Sequence, residues 1–275
     1  MNKLVLTLSL LVLFIGKLSA QDVKKTPFVL GEIDTIKSVE LNETRILNIY
    51  LPEGYSPDSS TKYPVIYLLD GSADEDFIHI AGLMQFLNFS WINILPKSIL
   101  VGISNVDRKR DFTFPTTIEK DKKDYPTTGG SAKFIAFIEK ELQPFIETHY
   151  KTNKTKTIIG QSLGGLLATE ILFKKPGLFT SYIIVSPSLW WNTESLLSIP
   201  PAVLQTGFNQ STRVYIAVGK EEKIMVDDTK KLVGLLKKSN SKNLQVTFRY
   251  FPDEDHATIL HWAVYRAFQS FNLKK

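Results

Sequence analysis

The sequence contains no cysteine among its 275 residues. Disulfide bonds, thiolate metal ligands, a cysteine nucleophile and lipid attachment at an N-terminal cysteine are therefore excluded. A chain of this length can bury a core large enough to fold without disulfides, so their absence does not argue against an exported protein.

Histidine and excess charge are also scarce. The formal net charge is +5 and the lysines are scattered, which predicts no nucleic-acid partner. Of the four histidines, His256 and His261 would lie about 140° apart on a helix, so the spacing of a zinc-binding helix is missing. No glycine-rich phosphate motif or dinucleotide fingerprint occurs either. The sequence predicts neither a metal nor a cofactor.

Long hydrophobic runs are missing except at the start of the chain. Lys3 precedes an apolar run from Leu4 to Ile15, and Ala20 supplies a small residue at a cleavage position. This pattern is typical of a secretory signal peptide, and the run is too short to span a bilayer comfortably. We expect residues 1–20 to be a signal peptide and residues 21–275 to form a single α/β domain. The protein would be exported, periplasmic or secreted, with no integral membrane segment after cleavage.

Apolar segments alternate with amphipathic ones along the remaining chain. Two antiparallel strands open it, and strands then alternate with helices. The predicted strands are 28–39, 44–51, 64–69, 98–104, 156–159, 182–185, 213–218 and 244–251. The predicted helices are 77–89, 131–149, 163–173, 227–238 and 258–271. This order predicts an α/β fold, with a mostly parallel central sheet and helices on both faces.

A G-x-S-x-G motif stands between a predicted strand and a predicted helix. It runs from Gly160 to Gly164 and has Ser162 at its centre. The strand–turn–helix elbow that exposes a nucleophilic serine needs small residues two positions before and after the serine. We therefore predict Ser162 as the nucleophile, with the backbone amide of Leu163 facing the oxyanion at the helix start. The alternative is a glycine-rich turn before a helix.

A serine nucleophile needs a histidine base and an acid, which follow it in that order in α/β-hydrolases. His79 and His149 precede Ser162, whereas His256 lies in an acidic loop directly after the last predicted strand. We predict His256 as the base, and expect His261 to pack inside the closing helix. The acid should follow the preceding strand, where we choose Glu222, with Glu221 as the alternative.

Other loops at the same sheet edge supply candidates for substrate contacts. The second oxyanion amide is predicted at Ser72, unless Asp70-Gly71 is merely a turn. Trp190 and Trp191 are candidates for the wall of the substrate pocket, although large aromatics more often belong to the core. Arg108 and Arg110 are candidates for binding an anionic substrate. Arg110 and Asp111 would alternatively form a structural ion pair.

Taken with these motifs, the chain resembles the putative-esterase family of α/β-hydrolases, which includes S-formylglutathione hydrolase (esterase D), feruloyl esterases, siderophore esterases and mycolyltransferases. The resemblance spans roughly Ile46 to Phe271 and is greatest to the periplasmic siderophore-esterase-like branch. Its marks are residues 67–71, 101–103, Asn105, 108–111, the serine elbow, 186–191 and 219–222. The family's nucleophile falls on Ser162 and its histidine on His256. Thr113-Phe114-Pro115 departs from the family's Thr-Pro, and the family's acid varies between members.

The combined interpretation is an exported serine carboxylic ester hydrolase that acts without a cofactor on a small-molecule ester. Ser162 would form an acyl-enzyme that water then cleaves. A siderophore trilactone or a polysaccharide-linked ester fits export better than a glutathione thioester does. An acyltransferase with the same machinery is the first alternative, and a non-catalytic binding module on a hydrolase scaffold is the second. The sequence leaves the oligomeric state open.

Overall fold

The computed structural model describes residues 24–238 and 242–272. The predicted signal peptide, residues 1–20, lies outside this range. Residues 24–30 have no regular secondary structure, and the residues from Gly31 onward form one compact unit. Within the described part of the chain, no helix is both long and apolar enough to cross a membrane.

Eight strands form one central sheet in the order β1-β2-β4-β3-β5-β6-β7-β8. The first two strands and β4 pair antiparallel, and every pair from β4 through β8 is parallel. The strands are β1 Glu32–Ser38, β2 Glu43–Tyr50, β3 Tyr63–Leu68, β4 Ile99–Ile103, β5 Thr152–Gln161, β6 Ser181–Val185, β7 Thr212–Gly219 and β8 Leu244–Phe251. The predicted α/β-hydrolase fold with a mostly parallel sheet is confirmed.

Helices cover both faces of the sheet. The α-helices of five or more residues are α1 Phe77–Asn88, α2 Arg108–Phe112, α3 Glu119–Asp124, α4 Ser131–Phe137, α5 Gln143–His149, α6 Leu163–Lys174, α7 Lys223–Lys237 and α8 Ile259–Asn272. Helix α6 packs on β5 and β6, whereas α8 packs on β6, β7 and β8. All five residues of β6 are buried, as expected for a central strand whose alternate side chains meet helices on opposite faces.

The helix predicted over residues 131–149 is not continuous. A π-helical segment, Ile138–Leu142, separates α4 from α5. Pro144 stands near the start of α5, where its ring cannot donate a backbone hydrogen bond and would clash with the carbonyl of Lys140 in a regular helix. The wider π-helical segment accommodates the ring of Pro144. The short helices α2 and α3 were not predicted, because five or six residues carry too little periodic pattern.

A buried ion-pair cluster joins β2 to α2. The guanidinium of Arg45 is fully buried, and its Nη1 lies 2.7 Å from Asp111 Oδ2 and 2.8 Å from Glu43 Oε1. Arg110 contacts the same two carboxylates, through Nε to Asp111 and Nη2 to Glu43. The ring of Phe134 lies under the Arg45 guanidinium at 5.1 Å. This cluster fixes α2, and with it the residues just before that helix, against the sheet.

Arg45→Ala should lower the free energy of unfolding by about 3–5 kcal/mol, because it leaves buried carboxylates without one of their cations. Urea denaturation followed by circular dichroism measures this change. Lys120→Ala, which removes one partner of the exposed pair with Asp124, is the matched control and should leave the midpoint almost unchanged. A loss below about 1 kcal/mol for Arg45→Ala would contradict a structural role for the cluster.

Candidate active site

Ser162 lies at the tight turn between β5 and α6. Its backbone angles are φ 58° and ψ −120°, a region that non-glycine residues rarely adopt. A Cβ atom on Gly160 would stand 2.3 Å from the carbonyl oxygen of Gly164, so a larger residue cannot replace Gly160 without moving the backbone. The geometry is that of a nucleophile elbow, which exposes the serine hydroxyl at the carboxyl end of the sheet.

His256 lies in the loop between β8 and α8, and it contacts a carboxylate from the neighbouring loop. Its Nδ1 stands 2.6 Å from Glu221 Oε2. The other oxygen of Glu221 accepts hydrogen bonds from the Ser186 hydroxyl and, at 3.1 Å, from the amide of Gly219. Burial alone would raise the pKa of Glu221, but the hydrogen bonds from His256, Ser186 and Gly219 outweigh it and lower the pKa below its ordinary value.

The structure places Glu221, rather than the predicted Glu222, in contact with His256. Glu221, whose side chain is 4% exposed, faces His256, whereas Glu222 is exposed and precedes the first residue of α7. The amide of Lys220 donates to the Glu254 carbonyl at 2.7 Å, which draws the start of this loop toward the histidine loop. Glu221 then contacts His256, and Glu222 is the N-cap residue of α7.

A cavity of about 520 Å³ opens over these residues. Ser162 and His256 both line it, together with Ser188, Trp190, Lys220, Glu221, Glu222, Met225, Asp255 and Ala257. The hydroxyl of Ser162 lies 3.3 Å from the hydroxyl of Ser188. Among the hydrogen bonds of the described residues, none joins Ser162 to His256. Such contacts commonly tighten only when substrate binds.

The two predicted oxyanion amides differ in their surroundings. Leu163 is the first residue of α6, so its amide belongs to the helix N-terminus beside the serine. The amide of Ser72 donates to Glu75 Oε2 at 3.4 Å, so in this conformation a carboxylate stands where an oxyanion would have to bind. The preceding residue, Gly71, is held against β4, where a Cβ atom would stand 2.4 Å from the Cα of Gly102.

Of the two tryptophans, the structure places one at the cavity. Trp190 is partly exposed and lines the cavity, whereas Trp191 is fully buried. The indole nitrogen of Trp191 donates to the carbonyl of Phe114 at 2.8 Å. The prediction of Trp191 as a substrate contact is therefore wrong in geometry, since its ring belongs to the core beneath Trp190.

Arg108 is engaged with the loop that follows β3. Its Nε and Nη2 bind the two oxygens of Asp70 at 2.6 and 2.9 Å, and Nη2 also lies 3.4 Å from the carbonyl oxygen of Gln161. Asp70 has a positive φ of 53°, which is uncommon for a non-glycine residue. Arg108 thus links the loop of Ser72 to the residue before the nucleophile. The expected substrate contact is replaced here by an internal ion pair.

Arg110 is likewise engaged within the protein rather than at the cavity. Its ion pairs with Asp111 and Glu43 belong to the buried cluster described above, and they raise its pKa. The structural ion pair, which the sequence analysis gave as the alternative, is the arrangement observed. Near Arg108, burial and the neighbouring charges of Asp70 and Glu75 raise the pKa of Asp76 to about 6.

Three residues of the site were not identified from the sequence. Ser186 binds Glu221, Ser188 binds Ser162, and the side chain of Gln161 donates to the carbonyl of His256. Ser186 and Ser188 stand just after β6, which neighbours the strand of the nucleophile. The Ser-Pro-Ser stretch at the carboxyl end of a buried strand was the available signal, since parallel strands bring such loops together.

The assembled groups form a hydroxyl, imidazole and carboxylate series at one end of the sheet. His256 Nδ1–H donates to Glu221 in the tautomer that leaves Nε2 as a base facing the cavity. Among the described residues, no cluster of three or more histidine, aspartate or glutamate side chains is arranged to hold a metal ion. The arrangement suits proton transfer and covalent catalysis at a serine.

The chain is similar to characterised and structurally determined esterases. A family model described as “Putative esterase” matches residues 38–270. The ferri-bacillibactin esterase BesA of Bacillus subtilis is 32% identical over 245 residues, which cover 82% of this chain and 84% of that protein. A siderophore triacetylfusarinine C esterase of Aspergillus fumigatus is 33% identical over 170 residues, covering 58% of this chain and 56% of that protein.

Solved structures lead to the same conclusion. An IroE-like serine hydrolase from Shewanella oneidensis superposes with a TM-score of 0.80 at 32% identity, covering 88% of this chain and 80% of that one. The BES protein from Bacillus cereus gives a TM-score of 0.81 at 29% identity over 92% of this chain and 100% of that one. The chain therefore belongs to the putative-esterase family, and it is a carboxylic ester hydrolase with the α/β-hydrolase fold.

Proposed function

We propose that the protein is an exported serine esterase that opens the ester bonds of a siderophore-type lactone through an acyl-enzyme on Ser162. The observation that carries the proposal is the pairing of His256 with Glu221 over the cavity that contains Ser162. A buried, hydrogen-bonded carboxylate on Nδ1 has one evident chemical consequence. It orients the imidazole so that Nε2 accepts a proton in the cavity.

In the proposed reaction, His256 takes the proton of the Ser162 hydroxyl as the serine oxygen attacks the ester carbonyl. The tetrahedral oxyanion accepts hydrogen bonds from the amide of Leu163 and, once Glu75 withdraws, from that of Ser72. Collapse breaks the bond to the alcohol oxygen, which leaves with the proton from His256. Water, deprotonated by the same imidazole, then cleaves the acyl-enzyme and restores the serine hydroxyl.

Glu221 keeps its negative charge throughout this cycle. Because its folded pKa lies below the unfolded value, the carboxylate stabilises the fold above the unfolded pKa, and this contribution is lost as the pH falls through the folded pKa. Near neutral pH it is therefore ionised. Its charge stabilises the imidazolium that forms when His256 holds the serine proton.

The substrate class rests on three supports. Relatives named as siderophore esterases include BesA and the triacetylfusarinine C esterase. The cavity, at about 520 Å³, matches the volume typical of small-molecule sites, and Trp190 offers it an aromatic wall. The expected signal peptide would direct the enzyme out of the cytoplasm, a location that fits a ferric-siderophore trilactone as substrate. A polysaccharide-linked ester is the other substrate that such a location favours.

Ser162→Ala should lower turnover by about 10⁶-fold without loss of the fold, because alanine removes the nucleophile and fits the elbow. The assay is chromatographic detection of ring opening in a ferric trilactone, run beside a feruloyl ester and a simple aryl ester. Ser181→Ala, which shortens a buried serine on the neighbouring strand, is the matched control and should keep its activity. Retention of more than a few per cent by Ser162→Ala would exclude Ser162 as nucleophile.

The same assay tests the identity of the substrate separately from the catalytic mechanism. Hydrolysis of the aryl ester but not of the trilactone would leave the Ser162 mechanism intact and refute the siderophore assignment. Transfer of the acyl group to an added alcohol in preference to water would identify an acyltransferase instead. Fluorophosphonate labelling that fails on the folded wild-type protein would favour a non-catalytic module.

Glu221→Gln should lower turnover by about 10⁴-fold, because a neutral amide neither fixes the histidine tautomer nor stabilises imidazolium. Glu222→Gln is the matched control on the adjacent residue, and it should stay within a few-fold of wild type because its side chain is exposed. Both are measured at saturating concentrations of one ester. The reverse ranking would return the acid to Glu222, and no loss in either variant would indicate a Ser162–His256 dyad.

Arg108→Lys should lower kcat by about 10²-fold with little change in KM, because lysine cannot hold both oxygens of Asp70 and the loop bearing Ser72 would shift. Steady-state kinetics with a neutral and an anionic ester measure the change. Lys123→Gln, at an exposed position on α3, removes one surface cation and serves as the control. A raised KM confined to the anionic ester, with kcat unchanged, would instead make Arg108 a substrate contact.

A further inference from the structure

The six arginines of the chain fall into two groups with different surroundings. Arg45, Arg108 and Arg110 all make ion pairs with carboxylates. Arg213, Arg249 and Arg266 do not: no carboxylate of residues 24–238 or 242–272 lies within 4.0 Å of their guanidinium groups. Arg213 is partly buried, and burial alone lowers its pKa. An unpaired, partly desolvated cation is unfavourable unless an anion accompanies it.

The fold brings these three arginines to one face of the sheet. In the parallel pair of β7 and β8, Ala217 is opposite Arg249 and Arg213 is opposite Gln245. Arg213 and Ala217 are four residues apart on β7, so their side chains point to the same face of the sheet. Arg249 is paired with Ala217 and therefore points to that face as well. Helix α8 covers that face. The backbone carbonyl of Phe271 in α8 accepts a hydrogen bond from Arg213, and α8 also carries Arg266.

A cavity of about 470 Å³ lies at this location. Its polar lining consists of Arg249, Arg266, Asn93, Gln269, Ser270 and Asn272, and no acidic side chain contributes to it. The guanidinium of Arg266 donates to Gln269 Oε1 at 2.8 Å, which leaves further donors on the same fork. Guanidinium, amide and hydroxyl donors around one cavity are the groups that bind oxyanions.

We propose that this cavity, formed by β8, α8 and the loop at Asn93, is a binding site for a small oxyanion-bearing ligand. Arg249 and Arg266 bind the anion with their forks. Phosphate and carboxylate groups share this chemistry. The site has no lining residue in common with the cavity at Ser162, so it does not depend on the esterase assignment.

Calorimetric titration of the whole protein at low ionic strength tests the proposal, with inorganic phosphate and citrate as separate probes. We expect saturable binding of at least one probe at one site per chain. Arg249→Gln and Arg266→Gln should each weaken it at least about tenfold, the loss of one charge-assisted contact. The probe that binds more tightly identifies the anionic group.

Lys123→Gln removes one positive charge from exposed α3 and is the control for nonspecific attraction. It should leave the affinity unchanged, and fluorophosphonate labelling of Ser162 should be the same in every variant. If Arg266→Gln fails to fold, Arg249→Gln still tests the site, because Arg249 is exposed. The proposal is refuted if neither probe saturates, or if Lys123→Gln weakens binding as much as the arginine variants.

Discussion

The hydrogen bond between His256 and Glu221 is the interaction on which the proposed chemistry depends. It joins the loops that leave two adjacent parallel strands, β7 and β8, whose final residues Gly219 and Phe251 are directly paired. That register brings both loops out at the same level of the sheet. A carboxylate on one loop can therefore reach an imidazole on the other without a long connection, and its second oxygen is held by Ser186 and the amide of Gly219.

A second set of contacts fixes the loops around Ser162 relative to one another. Arg108 binds Asp70 on the loop of Ser72 and approaches the carbonyl of Gln161, while the Gln161 side chain reaches the carbonyl of His256. Ser162, whose backbone is strained, thus follows Gln161, which contacts Arg108 on one side and the loop of His256 on the other. This explains how a positive φ at Ser162 and at Asp70 persists, since backbone strain survives only where its surroundings over-determine it. Rigid placement of this kind is what preorganised catalysis requires.

Much of the fold followed from the sequence because long, buried strands and helices have clear periodicity. The order of the strands and of the longer helices from β2 to α8 was predicted correctly, and so was the elbow, because Gly160 and Ser162 have local geometric demands that leave few alternatives. The glutamate that contacts His256 was not, since Glu221 and Glu222 are adjacent and chemically identical. Only the turn at Lys220 decides which of them faces the histidine.

Contacts between distant residues account for the other differences. Trp190 and Trp191 cannot be distinguished by pattern, because the hydrogen bond from Trp191 to Phe114 joins residues far apart in the chain. The sequence could suggest an anionic ligand for Arg108 but not that Asp70 would satisfy it. Likewise, the cluster of Arg213, Arg249 and Arg266 arises from the register of β7 and β8 and the packing of α8.

Peptide-level mass spectrometry after reaction with a fluorophosphonate tests the central claim most directly. We predict a single adduct on the hydroxyl of Ser162, formed at a rate that falls steeply in His256→Ala and is unchanged in His261→Ala. His261 packs against His79 between α8 and α1, and does not line the cavity. An adduct on another residue, or equal labelling rates in the two histidine variants, would contradict the account.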